Sequence, residues 1–232
     1  MSRITQGAPI MRAMRRYDIV TFDCYGTLID WERGIADAFR DAARADGVEL
    51  DRDAVLRAYA EHEPAAESPP FRPYRDVLGD TARRVAQALG WDAADSSFLA
   101  ESLPSWTPFP DTNAALERLR GAGYRLGILS NVDDDLLAAT RRHLGVDFDL
   151  VITAQQVRSY KPGHAHFVAA RNAIGGAPWL HAAESNFHDI VPTNALGIEN
   201  AWINRRGAPP LAGGVPTLGE FRDLATLADA IA

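Results

Sequence analysis

The stretch FDCYGTLID, residues 22–30, decides how the rest of the chain is interpreted, because in it a short apolar run ends in a carboxylate. Ile19, Val20 and Phe22 precede Asp23, and Gly26-Thr27 follows it. A short apolar run without clean alternation is typical of a strand that is covered on both faces, as in parallel sheets. Ligands of such sheets bind beyond the carboxyl ends of the strands. Asp23 is therefore expected at the edge of the sheet where ligands bind.

Four further runs have the same character, and segments with helical periodicity separate them. This alternation predicts an α/β fold built on a doubly wound parallel sheet. Asp111 is the expected N-cap of the helix within 111–123, and the acidic run 133–135 is expected to complement the dipole of the next helix. The runs are YRLGILS (124–130), DLVITA (149–154), WLHAAES (179–185) and ENAWINR (199–205).

Residues 31–108 break the pattern, since they contain several helical segments, a Pro-rich stretch (EPAAESPPFRPY) and no good strand. We predict an all-helical cap inserted after the first strand. The predicted domains are an α/β core, residues 1–30 and 109–232, and a helical cap, residues 31–108.

Composition excludes several classes of partner. The 232 residues carry a net charge of -7 without a basic cluster, which argues against nucleic acid. No apolar run approaches the roughly 18 residues of a membrane helix, so no membrane partner is expected. The basic N-terminus lacks the apolar region of a secretory signal, and Met11 and Met14 are alternative native starts. The single cysteine, Cys24, predicts a packed thiol and a cytoplasmic location. Monomer and homodimer both remain open.

Chemically capable residues follow the other predicted strands at their carboxyl ends. The second strand is followed by Ser130-Asn131 and the third by Tyr160-Lys161-Pro162. The fourth is followed by Glu184, Asn186 and Asp189. Because these ends share one edge of the sheet, we expect the side chains to meet in one crevice with Asp23.

Four motifs at these positions resemble those of the haloacid dehalogenase superfamily: DxxGT from Asp23, SN at 130–131, YKP at 160–162 and ExxxxD from Glu184. The resemblance covers residues 17–205, and the helical insertion matches the superfamily's cap position. It implies a Rossmann-like core, with Asp23 as covalent nucleophile, Thr27 and Ser130 as its supports and Lys161 as the charge neutraliser.

Tyr25 distinguishes between branches of the superfamily, because its phosphatases carry a second aspartate at this position that protonates the leaving group. A phenol, with a pKa of about 10, is a poor acid at neutral pH, whereas a departing halide needs no proton. DCYGT therefore resembles the 2-haloacid dehalogenase branch. The resemblance implies attack by Asp23 on the α-carbon of a small 2-halocarboxylic acid, and hydrolysis of the aspartyl ester by water that Asn186 and Asp189 orient and activate. It also implies consumption of the L-enantiomer and formation of a D-2-hydroxy acid.

The match to the branch has gaps on the substrate side. Members commonly have serine at Glu184, tyrosine at Phe167 and a cap arginine near Ala60. Arg72 and Arg75 are candidates for the missing cap cation, and donors at Ser130 and Asn131 suit the substrate carboxylate. Tyr25 and Trp31 are expected to line the pocket, and whether Tyr25 also donates a hydrogen bond is left open.

Two other functions remain open on the sequence. No metal is required for dehalogenation, but Asp23, Glu184 and Asp189 are hard oxygen donors for Mg²⁺, which gives a Mg²⁺-dependent phosphatase as the alternative. The second alternative is a catalytically silent protein that binds small anions. His164 and His166 are expected at the surface rather than as a metal pair, since positions i and i+2 do not share a helix face.

Overall fold

The computed structural model describes residues 15–68 and 70–232, and its centre is a sheet of six parallel strands. Met11 and Met14, the alternative starts, lie outside the described residues. The strand order is β3-β2-β1-β4-β5-β6, so the chain winds in one direction from β1 and then in the other. The predicted doubly wound α/β fold is confirmed. The strands are β1 (Ile19–Phe22), β2 (Arg125–Ser130), β3 (Leu150–Thr153), β4 (Trp179–Ala183), β5 (Glu199–Ile203) and β6 (Gly219–Phe221).

Strand register brings the predicted chemical residues to one edge. Phe22 at the end of β1 lies level with Ile128 of β2 and Ala182 of β4. The residues that follow, Asp23 and Ser130 among them, therefore leave the sheet side by side. The sixth strand was not predicted, because three half-exposed residues (GEF) at a sheet edge show no apolar periodicity.

Helices lie in all connections between the strands except the last, from β5 to β6. Five of them lie between β1 and β2. Four of these five, α1 to α4, form the predicted insertion, whose described residues contain no strand, as the sequence predicts. The division into core and cap domains stays a prediction. No helix among the described residues is long and apolar enough to span a membrane. The helices are α1 (Trp31–Ala45), α2 (Arg52–Ala66), α3 (Tyr74–Ala88), α4 (Phe98–Ser102), α5 (Thr112–Gly121), α6 (Asp134–Thr140), α7 (Ala154–Val157), α8 (Ala165–Ile174), α9 (Val191–Ala195) and α10 (Leu224–Ile231).

The insertion packs closely on the strand that carries Asp23. Gly34 of α1 lies so near the Trp106 indole that a Cβ there would approach the ring to 2.4 Å. The Trp106 ring in turn meets the edge of the Tyr25 ring, with centroids 5.8 Å apart. The two ends of the insertion are thus joined by aromatic contacts directly beside the residues after β1.

Asp133 fixes the insertion to the sheet from the other side. Its buried carboxylate accepts hydrogen bonds from the backbone N–H groups of Tyr74 (2.8 Å) and Arg75 (3.0 Å), at the start of α3. Pro73, which precedes that helix, has no side chain able to cap it. Asp134 and Asp135 lie in the first turn of α6, as predicted, whereas Asp133 caps a helix far away in the chain.

Asp111 does not act as the predicted cap of α5. It occupies the N-cap position, but its side chain makes no capping bond there. The carboxylate instead binds the Arg205 guanidinium at 3.0 Å and accepts from the Leu224 N–H. A buried guanidinium and a second helix start compete for the same oxygens, which the sequence near Asp111 does not show.

Asp133→Ala should lower the free energy of unfolding by about 1–2 kcal/mol, because it leaves two N–H groups of α3 without their acceptor. Urea unfolding followed by circular dichroism measures this. Asp92→Ala, which removes an exposed carboxylate from the same insertion, is the control and should change stability by less than about 0.5 kcal/mol. Equal losses in both variants would contradict the capping role.

Candidate active site

A cavity of about 290 Å³ opens between the carboxyl edge of the sheet and helices α1 to α3. Asp23, Ser130, Lys161 and Asp189 line it from the sheet side, as the sequence predicts. These residues come from the ends of four different strands, so the parallel register of β1 with β2 and β4, and of β2 with β3, is what brings them together.

The Lys161 ammonium holds the centre of this group. Nζ donates to Asp23 Oδ1 (2.8 Å), to Asp189 Oδ1 (2.7 Å) and to the carbonyl oxygen of Leu129 (2.9 Å). Lys161 is buried, and all three donors of its ammonium have partners. It is also the chain's only lysine, every other cationic side chain being arginine or histidine.

Asn131 holds the main chain of Lys161 rather than facing a substrate. Its Oδ1 accepts from the Lys161 N–H (2.7 Å) and its Nδ2 donates to the Lys161 carbonyl (3.0 Å). Asn131 lines the cavity, but its side-chain amide is already engaged. The predicted use of that amide as a substrate donor is therefore not what the structure shows.

Asp23 is held at both carboxylate oxygens. Thr27 Oγ1 donates to Oδ2 at 3.0 Å, while Lys161 binds Oδ1. Thr27 Oγ1 itself accepts from the Glu184 N–H at 2.8 Å, which fixes the direction of its hydrogen toward Asp23. Burial raises the pKa of Asp23 above its ordinary value, and the Asp189 charge adds to this rise, while Lys161 opposes it.

Asp189 is held at one oxygen only. Its Oδ1 accepts from Lys161 and lies 3.0 Å from His181 Nε2, whereas Oδ2 is buried and has no hydrogen-bond partner among the described residues. Burial alone would raise the pKa of Asp189, but Lys161 and His181 lower it to about 2. Asp189 is thus ionised and lines the cavity, and its Oδ2 is buried without a partner among the described residues.

Asp189 fixes which ring nitrogen of His181 carries a hydrogen toward the site. An ionised carboxylate can only accept, so the Nε2–H of His181 donates to Asp189 Oδ1, 3.0 Å away. On the other side of the ring, Nδ1 lies 2.8 Å from Thr21 Oγ1, which also accepts from the Trp179 indole N–H at 2.7 Å. The sequence gives no local sign of this arrangement.

Ser130 presents a hydroxyl without a partner. Its Oγ is buried and makes no hydrogen bond among the described residues, and the residue lines the cavity. Its carbonyl oxygen accepts from His166 Nε2 at 3.1 Å. The expectation of a surface His166 is wrong, because this ring is fully buried, and burial lowers its pKa to about 3. His164 is exposed, as expected.

Tyr25 and Trp31 line the cavity as predicted, and the phenol is directed away from the reacting group. The Tyr25 hydroxyl lies 2.9 Å from Thr140 Oγ1. Burial raises the pKa of Tyr25 well above the ordinary phenol value. The Tyr25 side chain is therefore a neutral wall that is bonded to α6.

Four predicted site residues do not line the cavity: Thr27, which still binds Asp23, and three residues with partners elsewhere. Arg72 donates to the Ala66 carbonyl and binds Asp80 at 3.2 Å, and Arg75 binds Asp135 at 2.6 Å. Asn186 donates through Nδ2 to the Gly214 carbonyl and accepts at Oδ1 from the Leu211 N–H. The two arginines bind acids that lie next to them only in the folded chain, so their side chains do not reach the cavity. Asn186 instead fixes the loop after β5.

The cap contributes site residues that sequence reasoning missed. Glu63 and Glu67 line the cavity together with Tyr59 and Tyr74, and His188 faces it from the segment after β4. Tyr59, Glu63 and Glu67 are spaced by four residues, which places them on one face of α2. That spacing is the signal from which they could have been found.

A model of the haloacid dehalogenase-like hydrolase family matches residues 17–182 of the chain. The chain belongs to this family of hydrolases. It is 26% identical over 231 residues to the (S)-2-haloacid dehalogenase H-109 of Pseudomonas putida, covering 93% of this chain and 98% of that one. It is 28% identical to the haloacetate dehalogenase H-2 of Moraxella sp. (strain B), over 84% and 88% of the two chains. The crystal structure of the L-2-haloacid dehalogenase RSc1362 superposes with a TM-score of 0.79 at 25% identity, covering 93% of this chain and 98% of that one.

The acids of this haloacid dehalogenase-like hydrolase do not assemble into a metal site. Lys161 Nζ, rather than a free space, lies between Asp23 and Asp189. The Glu184 carboxylate lies 3.5 Å from the Arg206 guanidinium. Among residues 15–68 and 70–232, no three His, Cys, Asp or Glu side chains are grouped so as to hold an ion.

Lys161→Met should lower the free energy of unfolding by about 3–5 kcal/mol near neutral pH, because it leaves two buried carboxylates without their cation. Without the ammonium the pKa of both carboxyl groups rises, so protonation near pH 5 should restore part of the loss. In the unmutated protein the Asp189 contribution, with a pKa of about 2, is fully present above the unfolded value of about 3.9 and is lost only as the pH falls through about 2.

Urea titrations of both proteins near pH 7 and pH 5 measure this difference. Arg171→Met, on the outer side of α8, is the control for loss of a positive charge, and its effect should not depend on pH in this range. A Lys161→Met deficit that is equal at both pH values would contradict the proposed electrostatic origin.

Proposed function

We propose that this hydrolase removes halide from small 2-halocarboxylic acids by way of an aspartyl ester on Asp23. The observation that supports it best is Tyr25, a neutral phenol bonded to Thr140 at the position where a proton donor for an alkoxide would stand. A halide leaves without a proton, so this site suits it. The similarity to 2-haloacid and haloacetate dehalogenases points to the same substrate class.

The first step is a displacement at carbon. One oxygen of the Asp23 carboxylate attacks the α-carbon from the side opposite the halogen, the new C–O bond forms as the carbon–halogen bond breaks, and the electron pair leaves with the halide. Backside attack inverts the α-carbon, so the L-enantiomer gives a D-2-hydroxy acid. Lys161 and Thr27 hold the nucleophile in place with one hydrogen bond to each oxygen.

The second step returns Asp23. The free Oδ2 of Asp189 takes a proton from water, and the resulting hydroxide attacks the carbonyl carbon of the ester. Lys161 stabilises the negative charge that develops there. When the ester C–O bond then breaks, the leaving alkoxide takes up one of the two protons of the water and the other passes to solvent. The hydroxy acid departs with the oxygen that Asp23 first supplied, and both aspartates are ionised again. Both polar groups of Asn186 are bound to the loop after β5, so we assign activation of water to Asp189 alone.

The unpartnered Ser130 hydroxyl is the donor that we assign to the substrate carboxylate. No cofactor is needed in this scheme, because Lys161 already balances the charge that a metal would balance. We also place the enzyme in the cytoplasm, since its single cysteine is a buried, free thiol.

The fate of solvent oxygen tests the covalent step. Multiple turnovers of L-2-chloropropionate in ¹⁸O-water should label the peptide that contains Asp23, because water attacks the Asp23 carbonyl. A single turnover with excess enzyme should give mostly unlabelled 2-hydroxy acid. Peptide and product mass spectrometry measure both, and Asp23→Asn, a poor nucleophile, is the inactive control. Label in the first-turnover product with an unlabelled Asp23 peptide would overturn the mechanism.

The same assay separates the phosphatase alternative. EDTA should leave chloride release unchanged, and p-nitrophenyl phosphate with Mg²⁺ should not be hydrolysed. Chelator-sensitive hydrolysis of the phosphate ester without chloride release would favour the phosphatase, and no activity on either substrate would favour the silent binding protein.

Tyr25→Phe should keep kcat for L-2-chloropropionate within about tenfold, because no proton is transferred from the phenol. Removal of a true general acid costs about 10²–10⁴-fold. Chloride release as a function of pH measures this, and Thr140→Val, which removes the partner of the same phenol, is the matched control. A loss of more than about 10²-fold in Tyr25→Phe alone would assign a catalytic proton to Tyr25 and remove the main support for a halide leaving group.

A further inference from the structure

The cap side of the cavity is acidic, which is unexpected for an enzyme whose substrates are anions. Five carboxyl groups line the cavity, whereas only two of its lining residues, Lys161 and His188, can carry a positive charge. Burial lowers the pKa of His188, so the neutral form is favoured there. The carboxyl groups belong to Asp23, Glu63, Glu67, Glu184 and Asp189.

Three of these five acids have a cation in contact, and the two on the cap do not. Lys161 binds Asp23 and Asp189, and Arg206 lies beside Glu184. In the part of the chain that the structure describes, Glu63 and Glu67 form no ion pair with any Lys, Arg or His. The two arginines nearest in sequence, Arg72 and Arg75, bind Asp80 and Asp135 instead.

Glu63 is built into the wall rather than left to the solvent. Its Oε1 accepts from the Tyr59 hydroxyl at 2.6 Å and from the Tyr74 hydroxyl at 2.9 Å. Both tyrosines are buried, and a carboxylate that accepts two such hydrogen bonds is fixed in direction. The second oxygen, Oε2, has no hydrogen bond among the described residues, in a residue that lines the cavity.

Glu67 lies one helical turn beyond Glu63 and faces the same cavity. Burial and the neighbouring Glu63 charge raise the pKa of Glu67 well above its ordinary value, while the Lys161 charge and a hydrogen bond from Asn131 oppose this rise. Two acids held together without a cation in contact repel each other, and a positive charge placed between them would relieve that repulsion.

The opposite wall contains two residues with an unpartnered polar atom. Ser130 Oγ and Asp189 Oδ2 are fully buried and have no partner among the described residues, and both residues line the same cavity. Unsatisfied buried polar atoms of this kind are rare in folded proteins, so they indicate that a polar molecule belongs between the two walls.

We propose that the Glu63–Glu67 pair receives an organic ammonium group, so that the substrate is a zwitterionic 2-halocarboxylate with its carboxylate at Ser130 and its ammonium at the cap. The substrate class rests on the proposed dehalogenase function, but the ammonium site does not, because it is defined by cap residues that take no part in the chemistry. The residues of this α2 face that line the cavity include no arginine that could bind a carboxylate, but they include two acids that could bind an amine.

Binding tests the ammonium site without any turnover. β-Alanine and butyrate have the same shape and differ in an ammonium against a methyl group. Isothermal titration should show β-alanine binding at least about tenfold more tightly than butyrate. Glu63→Gln and Glu67→Gln should each reduce the affinity for β-alanine by about tenfold and leave butyrate binding unchanged or stronger.

Glu61→Gln is the matched control, because it removes the same charge from an exposed position of the same helix outside the cavity wall. It should bind β-alanine as the unmutated protein does. Thermal melting checks that each variant is folded. Glu67→Gln is the independent variant if Glu63→Gln is unstable, because Glu67 accepts no hydrogen bond from the buried tyrosines.

Chloride release from 3-amino-2-chloropropionate and from its isostere 2-chlorobutyrate separates this inference from the proposed function. We expect a higher kcat/KM for the amine, and loss of that preference in both glutamine variants. Equal release from both substrates, with no effect of the variants, would overturn the ammonium site and keep the dehalogenase. No release from either, with Glu-dependent binding of β-alanine, would overturn the dehalogenase and keep the ammonium site. Equal binding of β-alanine and butyrate would overturn the ammonium site directly.

Discussion

The contact of one buried ammonium with two buried carboxylates is the constraint on which the carboxyl edge of the sheet depends. Moving an ion from water into the interior costs several kcal/mol, and such groups are tolerated only where each has partners. Lys161 meets this condition with Asp23, Asp189 and the Leu129 carbonyl. Asn131 adds a further restraint by binding both polar groups of the Lys161 main chain. Residues after three strands are thus held together at the place where the sheet opens into the cavity.

The two carboxylates that share this ammonium differ in their other partners, and this difference suits different chemical roles. Asp23 is restrained at both oxygens, which favours a nucleophile that must attack along one line. Asp189 is restrained at Oδ1 alone, through Lys161 and the Nε2–H of His181, and keeps Oδ2 free for a proton. That hydrogen lies on Nε2 because the ionised Asp189 carboxylate can only accept, while Nδ1 of the same ring contacts the Thr21 hydroxyl.

The sequence predicts this edge well because the relevant signals are local. Each strand is a short apolar run, and the residue after its end is adjacent in the chain to the run itself, as with Phe22 and Asp23. Contacts between distant segments are not encoded in this way. Charge and position predict Arg72 and Arg75 in the pocket, but Asp80 and Asp135 bind them elsewhere. Helix spacing predicts a surface His166, because it gives no sign of the distant Ser130 carbonyl that the buried ring contacts. The strand β6 is too short and too exposed to show a pattern.

The motifs shared with the relatives lie on one side of the cavity only. Similarity at about a quarter identity therefore says more about the chemistry than about the substrate. The four sequence motifs all lie at the sheet edge, where Asp23, Ser130, Lys161 and Asp189 meet. The facing wall comes from α2 and α3, outside those motifs. Its character is set by Glu63, Glu67 and the tyrosines that orient Glu63. The proposed halide leaving group rests on residues of one side of the cavity, and the proposed ammonium group rests on residues of the other. A substrate that satisfies both carries its charges at opposite ends, with the reacting carbon between them.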